Sequence, residues 1–341
     1  MLRGIVRSGR GRLARIALAT LAAASVAGCG GSPTSPTPPR PQLLCPADVA
    51  VSHVVGGTQA VIFTPPVQTA GTTPITIACS PASGSMFPVG TTTVRCTGTD
   101  AFNQVGTCSF NVVLTPLTLS ALTFVAFGDS VTEGENSLPG PGGLSVRFVD
   151  VANAYPTKLR SKLQIDFPTQ TTTVVNAGLG GEFLDSGIDR LMTVLAQHLP
   201  EALLLLHGYN DLLNGGATAA QDVVDGLEEM IRVARGLGVR YVFVSTITPG
   251  RPGPRQLAPA AVVQTNSGIR TMALAEGAYL VDSFNALVGR EATLVSNDGL
   301  HLTPAGNDVL ADTFLAGIKA AAATATGPLG QLRGQRRDRD D

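Results

Sequence analysis

From Leu119 to about Ala322 short apolar runs alternate with amphipathic stretches of helical length, and this alternation constrains the fold more than any other feature of the chain. The runs fall at 123–127, 172–176, 202–206, 241–247 and 279–282. Four of the five are almost continuously apolar, as strands must be when helices cover both faces of their sheet. The intervening spacing predicts helices at about 154–164, 184–198, 217–236, 257–276 and 303–322. In the third of these Val223, Leu227, Met230, Ile231 and Ala234 recur on one helical face, which marks them as core. Strand and helix in strict alternation mean βαβ units, hence an α/β fold on a parallel sheet. At 341 residues the chain is longer than one core usually organises, so a second module is expected. A content of 44% hydrophobic and 14% charged residues excludes disorder of the whole. Twenty-four basic residues against 25 acidic ones provide no field that would gather phosphates, so nucleic acid is not an expected partner. No solenoid-type repeat occurs.

The second module precedes the alternation. Between Leu43 and Pro116 short β-branched runs at 50–55, 60–64, 75–78, 91–95 and 109–114 are separated by Gly, Pro and Thr turns, the pattern of a small β-sandwich. Cys45, Cys79, Cys96 and Cys108 all lie here, an even set that suits two disulfides, and spacing leaves all three pairings open. Cys45-Pro46, the stretch from Cys79-Ser80-Pro81 through Phe87-Pro88-Val89-Gly90 to Cys96-Thr97-Gly98-Thr99-Asp100, and Cys108-Ser109-Phe110-Asn111-Val112 together resemble a hyalin repeat, or HYR domain. The resemblance implies an immunoglobulin-like sandwich that adheres to an extracellular ligand or spaces other modules. His53 reads as a surface residue of a strand.

The N-terminus speaks to compartment. Arg3, Arg7, Arg10, Arg12 and Arg15, with no acid among them, precede an apolar run from Ile16 to Ala27 that is too short to span a bilayer, which is the form of a signal peptide over residues 1–28. Val26-Ala27-Gly28-Cys29 resembles the lipobox of bacterial lipoproteins, which implies that Cys29 carries the lipid and that the protein is exported and anchored to a membrane. Gly30, where an aspartate is associated with inner-membrane retention, leaves an outer-membrane or cell-surface address open. Residues 29–42 are Pro/Ser/Thr-rich and read as an extended tether, and 327–341 as a charged, solvated tail. Removal of residues 1–28 leaves 19 basic against 25 acidic residues, a net charge of −6.

Candidate chemistry sits where the proposed strands end, the edge at which open α/β sheets place ligands. Gly128-Asp129-Ser130 comes after the first, Gly178-Leu179-Gly180-Gly181 after the second, and Gly208-Tyr209-Asn210-Asp211 after the third. Near the end of the chain Asp298-Gly299-Leu300-His301 has the spacing at which a carboxylate can hold an imidazole. In this order the four blocks resemble the SGNH (GDSL) hydrolase superfamily over about residues 121–322. The resemblance implies a five-stranded parallel sheet and a serine esterase that hydrolyses carboxylic esters through an acyl-enzyme. Ser130 would be the nucleophile, His301 the base and Asp298 its orienting acid. The oxyanion would be met by the backbone of Ser130 and Gly181 and by the Asn210 side chain. No cofactor or metal is called for: there is no His-Glu-x-x-His, and four cysteines are committed elsewhere. No Gly-x-Ser-x-Gly elbow is present.

Glu135 to Ala152, with Pro139-Gly140-Pro141-Gly142-Gly143, reads as a long loop bordering the substrate cleft. The chain has no Trp, which tilts the expected substrate toward small acyl esters without excluding acetylated glycans. His207 is expected to pack or hydrogen-bond at a strand end. Two rival functions remain: an adhesion lipoprotein with an inactive hydrolase domain, or an acyltransferase using the same residues.

Overall fold

A computed structural model of the chain describes residues 38–326. The signal peptide, Cys29, most of the tether and the tail from residue 327 lie outside the described residues.

Eight strands form the first module: β1 (Gln42–Leu44), β2 (Val49–Val54), β3 (Thr58–Ala60), β4 (Val67–Ala70), β5 (Thr76–Ser80), β6 (Met86–Pro88), β7 (Gly90–Thr99) and β8 (Val105–Pro116). A four-stranded sheet runs in the order β2-β8-β7-β5, beside the two-stranded pairs β1-β4 and β3-β6. In β7 alternate residues, Val94 and Cys96 among them, are buried, so a period of two carries the core face. Phe63, Phe87 and Phe110 fill this core, with Phe63 meeting both other rings edge-on. Cys45 is bonded to Cys108 and Cys79 to Cys96.

The second module is built on β9 (Thr123–Gly128), β12 (Thr173–Gly178), β13 (Ala202–Leu206), β14 (Tyr241–Ser245) and β15 (Tyr279–Val281). They form one parallel sheet in the order β12-β9-β13-β14-β15, as the alternation predicts. Its central strand β13 is buried at every residue and β9 at every residue but the first. The helices α2 (Tyr155–Asp166), α3 (Leu184–His198), α5 (Ala220–Gly236), α6 (Pro259–Ala275) and α9 (Pro304–Thr326) cover it. The core face read from the third predicted helix is the buried face of α5.

Four short helices were not legible in the periodicity: α1 (Ser130–Glu133), α4 (Tyr209–Gly215), α7 (Ser283–Leu287) and α8 (Glu291–Leu294). The expected loop from Glu135 to Ala152 is also more ordered than its composition suggests. β10 (Glu135–Pro139) and β11 (Ser145–Val149) pair antiparallel into a hairpin, with the Pro/Gly run forming only its turn. The two modules meet without a loose linker. Leu117, Leu119 and Ala121 are buried in the core of the second module, and the Gly56 N–H donates to the Asp166 carbonyl at 3.0 Å.

Candidate active site

Three strands end level with one another. Gly128 of β9 is paired with Gly178 of β12 on one side and with Leu206 of β13 on the other, so the segments leaving these strands emerge together at one carboxyl edge. The chain order of the strands reverses here, between β12 and β13, where doubly wound sheets open a crevice. Glycine is required at 128, because a Cβ would stand 1.9 Å from the Leu206 carbonyl oxygen. The same holds at Gly178, 2.0 Å from the Glu133 nitrogen.

Ser130 opens α1 immediately beyond β9. Asp129 caps this helix: one carboxylate oxygen accepts the Val131 N–H and the other the Tyr209 N–H, both at 3.1 Å. A single side chain therefore joins the first turn of α1 to the first turn of α4, which carries Asn210. Burial pushes the Asp129 carboxyl up from its ordinary pKa, against the pull of His207 and of those two N–H groups.

His301 faces the serine. Its Nε2 lies 2.9 Å from Ser130 Oγ, and its Nδ1 lies 2.5 Å from Asp298 Oδ2. The other Asp298 oxygen accepts the N–H groups of Leu300 and His301 at 3.0 and 3.1 Å and the Ser296 hydroxyl at 3.1 Å. Burial pushes the Asp298 carboxyl up, but the hydrogen bond and charge of His301 and these N–H groups outweigh it and hold it well below the usual carboxylate range. An ionised Asp298 makes Nδ1 the donor and leaves Nε2 free to accept the serine proton.

Three candidate donors belong to the segments that leave these strands. The Ser130 N–H is at the start of α1, where no helical acceptor exists for it. Gly181 has a φ of +79°, which L side chains rarely adopt, and a Cβ there would meet nothing within 4 Å. Asn210 spends one amide hydrogen on the Glu182 carbonyl at 2.9 Å and retains the other. The structure thus brings Ser130, His301 and Asp298 into one hydrogen-bonded line, while Asn210 is tied to the residue after Gly181.

Behind them lies a clamp that sequence reasoning missed. Arg190 on α3 grips Glu182 through Nε at 2.6 Å and Nη2 at 2.5 Å, and donates to the carbonyls of Ala177 and Gly128 at 2.9 and 3.2 Å. One guanidinium therefore fastens the ends of β9 and β12 to the loop that presents Gly181. His207 is fully buried, accepts the Gly208 N–H on Nδ1 at 2.8 Å and so donates from Nε2 to Glu182 at 3.1 Å, a packing role as expected. Burial pushes Glu182 up, and Arg190 and His207 more than offset it, so its carboxyl sits below its ordinary value. The only sequence signal for this pair was an acid next to Gly181 and an arginine eight residues on, too common a spacing to single out.

Residues 126–309, which contain every one of these groups, match the GDSL-like lipase/acylhydrolase family. The chain belongs to that family. Ahead of that match, residues 37–114 match the HYR domain. The GDSL-like chain is similar to Esterase TesA of Pseudomonas aeruginosa, with 30% identity over 128 residues, 38% of this chain and 60% of that protein. It is also similar to the Thioesterase 1/protease 1/lysophospholipase L1 of Escherichia coli K12, 32% identical over 146 residues, 43% of this chain and 61% of the relative. The chain thus spans about three fifths of the length of these curated relatives. Among solved structures, a lipase/acylhydrolase from Enterococcus faecalis superposes with a TM-score of 0.49 at 19% identity, covering 58% of this chain and 96% of that one.

Proposed function

We propose that this GDSL-like protein is a serine esterase that hydrolyses carboxylic esters through an acyl-enzyme. The observation that carries this reading is the unbroken line Asp298–His301–Ser130. His301 Nε2 takes the hydroxyl proton as Ser130 Oγ bonds to the ester carbonyl carbon, and the carbonyl electron pair moves onto its oxygen. That oxyanion is met by the N–H groups of Ser130 and Gly181 and by the remaining Asn210 amide hydrogen. Collapse expels the alcohol, which leaves with the proton from Nε2. Water then attacks the acyl carbon, gives a proton to Nε2, and the acid departs with Ser130 restored.

The absence of Trp favours small acyl groups. We further infer that the mature protein is exported and lipid-anchored through Cys29, which rests on the N-terminal sequence alone. Metabolic labelling with palmitate should mark the wild type and not Cys29→Ala; equal labelling of both removes the anchor from the proposal. For the chemistry, Ser130→Ala should fold yet neither turn over p-nitrophenyl esters nor react with a serine-directed phosphonate. Turnover retained by that variant would overturn the mechanism. Alcohol acceptors added to the assay separate hydrolysis from acyl transfer, since a transferase would return ester in place of free acid.

A further inference from the structure

The triad places one carboxylate on His301, yet a second one faces the ring. Glu135, the first residue of β10, has Oε2 3.5 Å from His301 Nε2, the nitrogen that Asp298 does not touch. Its other oxygen is 2.6 Å from Arg147 Nη1 on β11. The Glu135 side chain is 11% exposed and that of Arg147 46%, so the carboxylate points inward and the guanidinium outward.

This placement is fixed by the hairpin. Ser137 Oγ lies 2.9 Å from both Ser296 Oγ and Asn297 Oδ1 and accepts the Asp298 N–H at 3.2 Å. Asn297 Nδ2 in turn donates to Ser145 Oγ at 2.9 Å. Both strands of the hairpin are therefore tied to the loop that carries Asp298 and His301. Glu135 thus sits on an element bonded directly to the loop that carries the triad's His301 and Asp298.

Two distances decide what such a carboxylate can do. Ser130 Oγ at 2.9 Å holds the hydrogen-bonding position on Nε2, whereas Glu135 at 3.5 Å stands outside it. Glu135 thus leaves Nε2 available as a base, and its effect is electrostatic, greatest when the ring carries charge. We propose that Glu135 is a positioning residue and a second carboxylate partner of the imidazole, delivered by the hairpin and held by Arg147, which stabilises the imidazolium formed as Ser130 gives up its proton. Asp298 on the His301 loop and Asp129 before α1 act on the ring with the same sign. Arg147 on the hairpin offsets part of the Glu135 charge, and Glu133 lies close by, against Gly180.

The inference rests on the acyl-enzyme reading, and the test separates the two. Hydrolysis of p-nitrophenyl acetate and phosphonate labelling of the full chain are followed across the acid limb for wild type, Glu135→Gln and Glu135→Asp. An opposite charge at this range shifts proton equilibria by about 1 to 3 pH units, and with Arg147 opposing, the lower end applies. Loss of a charge that favours the imidazolium makes the ring harder to protonate, so Glu135→Gln should move the acid limb about one unit to lower pH. The same variant should lower kcat about tenfold with KM little changed. Glu135→Asp, which keeps the charge, should hold the limb near the wild-type position. A purely structural partner of Arg147 would alter thermal stability and leave the limb in place, and that result overturns the proposal. A wild type that neither hydrolyses the ester nor takes the label overturns the acyl-enzyme reading itself, and this inference with it.

Discussion

His207 and His301 show how little a residue's identity says until its two ring nitrogens are accounted for. Both are fully buried and both meet a carboxylate. In His207 the Gly208 N–H occupies Nδ1 and Glu182 takes the Nε2 proton, so no atom is left to accept one from a serine. In His301 Asp298 takes only Nδ1, and Nε2 points at Ser130. Sequence distinguished the two through the Asp-x-x-His spacing, but Glu135 carried no such signal, since its proximity to His301 spans more than 160 positions of chain. At this scale the proposed oxyanion donors give the sharpest expectation. Asn210→Ala should lower kcat about 10²- to 10³-fold while the far-ultraviolet circular dichroism stays native. A loss confined to KM would mean that Asn210 contacts the ground state only.

Between elements the decisive contact is the Arg190–Glu182 clamp. Glu182 is almost fully buried, so Arg190→Met would leave a carboxylate without its bidentate partner, at a cost of about 3 kcal/mol. Calorimetry should read this as a lower Tm. The pH dependence has a definite sign. The folded Glu182 pKa lies below its unfolded value, so the stabilisation is fully present above the unfolded carboxylate value of about 4.3 and is lost as pH falls through the folded one. The Tm difference between wild type and Arg190→Met should therefore shrink on acidification; a constant gap would show that packing, including that of Arg190 over the Phe127 ring, accounts for it. The hairpin β10-β11 and α4 escaped the sequence for different reasons. Glu135-Asn136-Ser137-Leu138-Pro139 has no alternation, and its pairing depends on β11 and on the Asp298 loop. α4 is only seven residues long, starts on a left-handed Gly208 and has no capping side chain of its own.

Over the whole molecule the β module and the GDSL-like domain share a built junction. β8 leads directly into Leu117, whose N–H donates to the Val54 carbonyl at 2.9 Å, and Gln170 brackets the backbone of Leu119 from both sides at 2.8 and 3.0 Å. All five site residues nevertheless lie beyond this junction. Closing the chain between Cys45 and Cys108, 63 positions apart, stabilises the β module by about 4 kcal/mol in the chain-entropy account. The Cys45→Ser/Cys108→Ser variant should lower the unfolding midpoint of that module and leave esterase turnover of small substrates close to wild type. A parallel loss of turnover would mean that the junction transmits the state of the module to the site.

Local pattern determined the parallel sheet, because strands buried on both faces must be apolar throughout and the helices over them must be amphipathic. It also determined which residues end those strands, and so the four blocks from which the site is made. Tertiary structure alone decided how they meet. Cys96 lies opposite both Cys79 and Cys108 in adjacent strands, so two of the three open pairings were each within reach on one face, and the approach of β1 gave Cys108 to Cys45. The second carboxylate beside His301 and the clamp behind Gly181 arise in the same way. They depend on strand register and on contacts between distant segments, which no local periodicity encodes.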